Sequence, residues 1–257
     1  MALRDVMRRF VPRRAGDLLW QLAQRVAYPP DFSAADIALH CAVGPFTMTS
    51  PERVRALADA VRYVIANGIP GAFVECGVWR GGSMMVVAKV LLAAGASDRD
   101  LFLFDTFEGM PAPTSRDVAY DGRSAAKLLS KRPRHVGDRV WCIADERDVR
   151  ANLAGTGYPA ERIHLIPGRV EETLPGAGPG SIALLRLDTD WYESTLHELR
   201  HLEPAVVHGG VVMIDDYGHW SGARMAVDEY LESLRPRPLL HRVDYTARSW
   251  IKAPPGP

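Results

Sequence analysis

The chain has 257 residues, 47% hydrophobic and 24% charged, which excludes intrinsic disorder and collagen-like sequence and allows a sizeable core in one domain. Its 31 Lys and Arg balance 31 Asp and Glu, so the positive field of a nucleic-acid footprint is missing and nucleic acid is not expected as a partner. Three cysteines, Cys41, Cys76 and Cys142, lie too far apart for a disulfide framework or a CxxC metal site and point to a reducing, cytoplasmic setting.

Residues 1–35 read as an N-terminal amphipathic arm, in which Leu3, Val6, Met7 and Phe10, then Leu18, Leu19, Leu22 and Val26, recur at helical spacing among arginines. Charges interrupt every apolar run, which argues against a signal peptide, and no later segment approaches the roughly 20 apolar residues of a bilayer span. No stable membrane insertion is expected. The apolar face of the arm predicts packing on its own domain or on a second subunit, hence a homo-oligomer.

From residue 36 to 257 the chain reads as one domain in which helical periodicity alternates with short apolar runs, the pattern of a parallel sheet covered on both faces. A helix runs from Ser50 to Ala66, with Ser50 as cap, Pro51 in the first turn and Gly68 beyond its end. Ala72–Cys76 is a strand, glycines lead into a helix from Gly82 to about Ala94, and Leu101–Asp105 is a second strand. Glu108–Arg139, rich in Pro, Ser, Arg and Gly, is a long irregular stretch and a candidate lid. A helix over Asp145–Thr156 and strands over Ile163–Ile166 and Ile182–Leu187 follow. Next come a helix over Ser194–Leu202, for which Asp190 is the expected cap, and the strand Val211–Ile214 after Gly209-Gly210. The tail carries a helix over Gly222–Leu234 and strands near Leu239–Tyr245 and Ser249–Lys252.

In open parallel sheets ligands bind beyond the carboxyl ends of the strands, and three such ends carry chemistry here. After the first strand comes Glu75-Cys76-Gly77-Val78-Trp79-Arg80-Gly81-Gly82-Ser83, a glycine-rich passage into a helix N-terminus. Its glycines admit a ligand close to the backbone and its free N–H groups face an anion, while Glu75 would repel a pyrophosphate and suit a cation. A small fragment with an ammonium and a carboxylate, such as the methionine part of S-adenosylmethionine, meets both demands. A plain glycine turn is the alternative. Asp105 stands where an acid accepts hydrogen bonds from ribose hydroxyls, which suits S-adenosylmethionine and NAD alike. Asp188, Asp215 and Asp216 end two later strands. If those strands are neighbours, three like charges meet, and a hard cation of the Mg²⁺ type relieves the conflict. Acids that merely cap loops are the alternative. Tyr192, His219 and Trp220 follow these acids and are candidates for an acceptor pocket.

The blocks FVECGVWRGGSM, LFDTFEGMP, DVRANLAGTGYP with RIHLIPGRVEETLP, LLRLDTDWYESTLHELRHLEP and GGVVMIDDYGHWSGARMAVDEY together resemble the macrocin O-methyltransferase family, from about Asp36 to the C-terminus. The resemblance implies an α/β, Rossmann-like class I methyltransferase domain over 36–257, with a seven-stranded, mostly parallel sheet whose last strand is antiparallel. It implies S-adenosylmethionine as donor, Mg²⁺ held by Asp188, Asp215 and Asp216, and Asp188 as base. By the same matching Thr47, Met48, the loop of Glu75, Gly77, Val78, Trp79, Arg80, Gly81 and Ser83, Asp105 with Phe107, and Gly168 surround the cofactor. His208 stands where the family usually has Pro, and Met225 where a second basic residue is common.

The expected activity is therefore transfer of a methyl group to a sugar hydroxyl on a glycosylated natural product or glycan. Two rivals remain on the sequence. Asp188-Thr189-Asp190 has the DxD spacing of metal-dependent glycosyltransferases, and a fold of this type can serve as a non-catalytic binding subunit.

Overall fold

The computed structural model describes residues 28–135 and 138–254. The apolar repeat at residues 3–26, on which the expected arm rests, lies outside them. Helix α1 (Ala34–Val43) begins with a reciprocal cap, in which Ser33 Oγ accepts from the Asp36 N–H and Asp36 accepts from the Ser33 N–H. Just before it, the Tyr28 hydroxyl meets His40 Nδ1 at 2.8 Å. Helix α2 (Pro51–Ala66) is capped by Ser50 and buries Val54, Leu57, Ala58, Val61 and Val64, the apolar stripe of a 3.6-residue period. We expect Ser33→Ala to lower the unfolding free energy by about 1 kcal/mol, measured in urea, with little change in activity. An unaltered denaturation midpoint would show that this cap contributes nothing.

The strands are β1 (Ala72–Cys76), β2 (Leu101–Asp105), β3 (Ile163–Pro167), β4 (Ile182–Leu187), β5 (Val206–Ile214), β6 (His241–Arg242) and β7 (Arg248–Ile251). They form one sheet in the order β3-β2-β1-β4-β5-β7-β6. β1 to β5 run parallel and β7 runs antiparallel to both β5 and β6. Alternate residues of the central strands enter two cores. Phe73, Leu184, Val211 and Met213 meet α2, α3 (Gly82–Ala93) and α5 (Glu146–Ala154) on one face. Val74, Leu185, Val212 and Ile214 meet α6 (Val170–Ala177), α7 (Tyr192–Leu202) and α8 (Ser221–Ser233) on the other. The result is an α/β Rossmann-like sheet with helices on both sides. Among the described residues no helix is long and apolar enough to cross a membrane.

Several boundaries differ from the sequence reading for local reasons. β5 starts at Val206, five residues early, because Gly209 and Gly210 form an irregularity inside the strand and not a turn before it. The register with β4 shifts there, and a Cβ on Gly210 would strike Val206 and Val207. Only His241–Arg242 of the expected strand at 239–245 pairs. α1 and α6 are additional helices, the latter hidden in VEETLPGA by its proline and glycine. Within the 108–139 stretch, α4 (Ala125–Ser130) packs Ala125 and Leu129 on Trp191, beside Met110, Val140, Trp141 and Trp220.

Asp190 does not cap α7. The residue before that helix is Trp191, with no capping side chain of its own, and the Tyr192 N–H donates instead to Asp117 Oδ1 at 2.9 Å, from 75 residues away. Asp190 is held in a left-handed conformation (φ 66°) and its side chain hydrogen-bonds Asp216.

Candidate active site

β1 is followed in sequence by its neighbour on one side, β2, and flanked on the other by β4, so strand order reverses between β1 and β4 and opens a crevice at their carboxyl ends. The loops after the two strands touch. The Asp188 N–H donates to the Cys76 carbonyl at 2.9 Å, and a Cβ on Gly77 (φ 80°) would collide with the Asp188 carbonyl. Only glycine allows that approach. Four non-glycine residues have positive φ among the described residues: Trp79, Phe107, Cys142 and Asp190. Three of them, all but Phe107, line the same cavity of about 580 Å³. Backbone strain thus gathers around this crevice.

Thr47, Met48, Gly77, Val78, Trp79, Ser83, Asp105, Gly168, Asp188, Asp215, Asp216, His219 and Trp220 all line the cavity. The remaining expected residues do not line it. Arg80 pairs with Asp148 (Nε to Oδ2, 2.7 Å), and the Tyr192 hydroxyl donates to Glu229 at 2.6 Å on the surface of α8. Gly81 sits under Val149 at the start of α3, and Phe107 packs into the core. Asp105 clips the loops together, because Oδ2 accepts from the Val78 and Trp79 N–H groups (2.6 and 3.0 Å) and Oδ1 from the Phe107 N–H (2.8 Å). Burial raises its pKa against the pull of those three bonds.

Glu75 faces inward. The register of β1 and β4 sets it opposite Arg186, whose Nη1 donates to Glu75 Oε1 at 2.6 Å. The same nitrogen reaches Asp188 Oδ2 at 2.7 Å, and Nη2 reaches Asp215 Oδ1 at 2.5 Å. Arg53 of α2 takes the other oxygen of Asp215 and reaches Asp244 at 3.1 Å. Burial pushes Glu75 up to about 8 despite the adjacent guanidinium, and its Oε2 is buried with no partner. Burial likewise opposes the charge of Arg186, but Asp188, Asp215 and Glu75 outweigh it and hold the side chain protonated.

Asp188, Asp215 and Asp216 each offer an oxygen, and these atoms lie within 4.8 Å of one another. Burial raises Asp190 to about 7 and holds Asp216 well above the usual carboxylate range, and the hydrogen bond between them requires one shared proton. Asp216 Oδ2 is buried without a partner. An orphaned buried oxygen within a trio of hard carboxylate donors fits a cation of the Mg²⁺ type. Sequence reasoning passed over Arg53, Arg186 and Asp190 as parts of this network. Arg186 carried a usable signal, since a charge inside the apolar run IALLRL has to find buried partners.

Residues 33–252 match the family described as Macrocin-O-methyltransferase (TylF). The chain is 36% identical over 204 residues to 8-demethyl-8-(2,3-dimethoxy-alpha-L-rhamnosyl)-tetracenomycin-C 4'-O-methyltransferase of Streptomyces olivaceus, covering 79% of this chain and 74% of the relative. It is 36% identical over 184 residues to demethyldecarbamoylnovobiocin O-methyltransferase of Streptomyces niveus, covering 72% and 67%. The solved structure of the O-methyltransferase NovP superposes with a TM-score of 0.70 at 33% identity, over 81% of this chain and 83% of that one.

Proposed function

This chain belongs to the macrocin O-methyltransferase family and is an enzyme that methylates, and from that premise we propose that it moves the methyl group of S-adenosylmethionine to a sugar hydroxyl. In this reading Asp188, Asp215 and Asp216 hold Mg²⁺. The observation that carries it is the trio of carboxylates within 4.8 Å, lining the same cavity as the glycine loop that follows β1. A sugar is favoured as acceptor by the rhamnosyl group in the name of the tetracenomycin relative. The glycosyltransferase alternative loses support from the position of Asp190, which turns to Asp216 instead of completing a DxD pair.

When bound, the donor supplies an electrophilic methyl carbon and the cation supplies Lewis acidity beside the acceptor hydroxyl. The chain's own tasks are alignment and removal of one proton. No side chain caps α3, so its first-turn N–H groups are available to the methionine carboxylate. Asp105, fixed by three backbone bonds, serves as a rigid acceptor for the ribose hydroxyls. Asp188 is more exposed than Asp215, at 27% against 7%. Arg186 engages its Oδ2, which leaves Oδ1 to take the proton of the attacking hydroxyl.

Replacing Asp215 and Asp216 together with Asn is expected to cost about two orders of magnitude in turnover and to abolish the response to added Mg²⁺. Binding of S-adenosylhomocysteine, followed by calorimetry, should stay near the wild-type value. A folded double variant that still responds to Mg²⁺ would move the ion elsewhere.

A further inference from the structure

Glu198, on α7, is a buried acid that takes no part in the chemistry described above. It is 0% exposed, and among the described residues no ion pair reaches it. The Thr189 Oγ1 donates to its Oε2 at 3.0 Å, while its Oε1 is buried with no partner. Burial holds its pKa well above the usual carboxylate range, against the pull of the Thr189 hydrogen bond, and the charges of Glu171 and Asp188 act in the same direction as burial. A buried carboxyl with an orphaned oxygen is destabilising, and an unbranched apolar side chain of similar length would fill the same place without that penalty. What Glu198 holds accounts for its presence.

Thr189 separates Asp188 from Asp190 and lines the cavity with them. Each residue of this turn is anchored differently. The Asp188 N–H donates to the Cys76 carbonyl, and the Asp190 side chain bonds Asp216. The Thr189 carbonyl accepts from the Trp191 N–H at 2.7 Å, and its hydroxyl reaches back to Glu198, nine residues along the chain. The turn also carries strain, since Asp190 stands at φ 66°, a conformation that persists only where surrounding contacts enforce it. The Thr189 hydroxyl bond supplies such a contact from the helix side, and it sits between the two acids whose placement it governs.

We propose that Glu198 is a positioning residue for the acid trio: through the Thr189 hydroxyl it fixes the strained turn that sets Asp188 against Asp215 and Asp216. The proposal rests on the reading of that trio as a cation site. It predicts that an apolar residue at 198 leaves the fold no less stable and the cation site worse, the reverse of what a core-packing residue does.

Four variants of the full chain, E198M, E198Q, T189V and T189V/E198M, test this with Mn²⁺ alone as probe, its binding read from the paramagnetic resonance signal of the free ion. E198M and T189V should each weaken Mn²⁺ binding about fivefold to tenfold. The double variant should bind no more weakly than either, because both changes remove the same contact. E198Q, whose amide oxygen still accepts from Thr189, should stay within about twofold of the wild type. T189V/E198M should melt at or above the wild-type temperature, since the buried acid is gone and no partner is left unpaired. Hydrogen exchange of the 189–192 amides in the metal-free chain should accelerate in E198M and T189V and not in E198Q. T189V alters only a cavity-lining side chain, so it reads the contact even if E198M fails to fold. Additive losses, no rescue by E198Q, or a double-variant melting temperature that falls together with Mn²⁺ affinity would overturn the positioning role. If wild type and variants bind Mn²⁺ alike, that role fails while the cation reading stands. If the wild type binds no Mn²⁺ yet exchange at the turn follows the expected order, the cation reading fails and the hold of Glu198 on the turn stands.

Discussion

Asp188→Asn should abolish measurable turnover, with a loss of about 10² to 10⁴ in kcat, while S-adenosylhomocysteine binds as in the wild type. The substitution keeps the shape of the side chain and the carbonyl oxygen that accepts from Arg186, so the fold has little reason to respond. What it removes is the anionic oxygen left over for the acceptor proton and one negative charge of the trio. The main-chain contacts of position 188, through which the loops of β1 and β4 meet, do not depend on the carboxylate. A fall in kcat without a matching loss of cofactor affinity separates this role from a merely structural one. Wild-type turnover in a purified, folded variant would remove Asp188 from the chemistry.

Arg186→Met should be the most destabilising single change at the site. Arg186 is 4% exposed and is the shared partner of Glu75, Asp188 and Asp215, two of which are themselves buried. Removing a buried cation while its partners remain costs about 3–5 kcal/mol, since the acids keep their desolvation penalty and lose its compensation. For a chain of this size that corresponds to a fall in melting temperature of roughly 6–20 °C. Glu75→Gln combined with Arg186→Met should recover part of the loss, because the most deeply buried of the three partners then cannot ionise. The recovery distinguishes an electrostatic cause from the loss of packing by a long side chain, which Met largely preserves. Equal melting temperatures for Arg186→Met and the wild type would mean that the three acids already sit protonated and need no counter-charge.

The elements legible in the sequence were those whose local signals agree with their tertiary setting. The Ser50-Pro51 cap, the apolar stripe of α2 and the mainly apolar runs of β1, β2 and β4 lie where reading the residues puts them. The acids after β4 and β5 were also legible, and their meeting followed once the strands were taken as neighbours. Asp190 and Asp117 show the limit. An Asp just before a helix reads as its cap, yet the N–H of Tyr192 is satisfied from a distant segment, and Asp190 is spent on Asp216. The glycines at 209 and 210 mislead in the same way, since a pair of glycines looks alike whether it makes a turn or an irregularity within a strand.

Composition, periodicity and ordered blocks of residues were enough to identify a parallel sheet covered by helices, the glycine loop, the three acids and the family, because each is written in neighbouring residues. The charge balance of the site was decided only in three dimensions. Arg186 meets Glu75 through strand register, Arg53 reaches Asp215 from α2, and the arginines of the 108–139 segment line a wall of the same cavity as the acids. Burial sets how strongly buried charges act on one another, and burial is a property of the packed whole that spacing along a chain does not express.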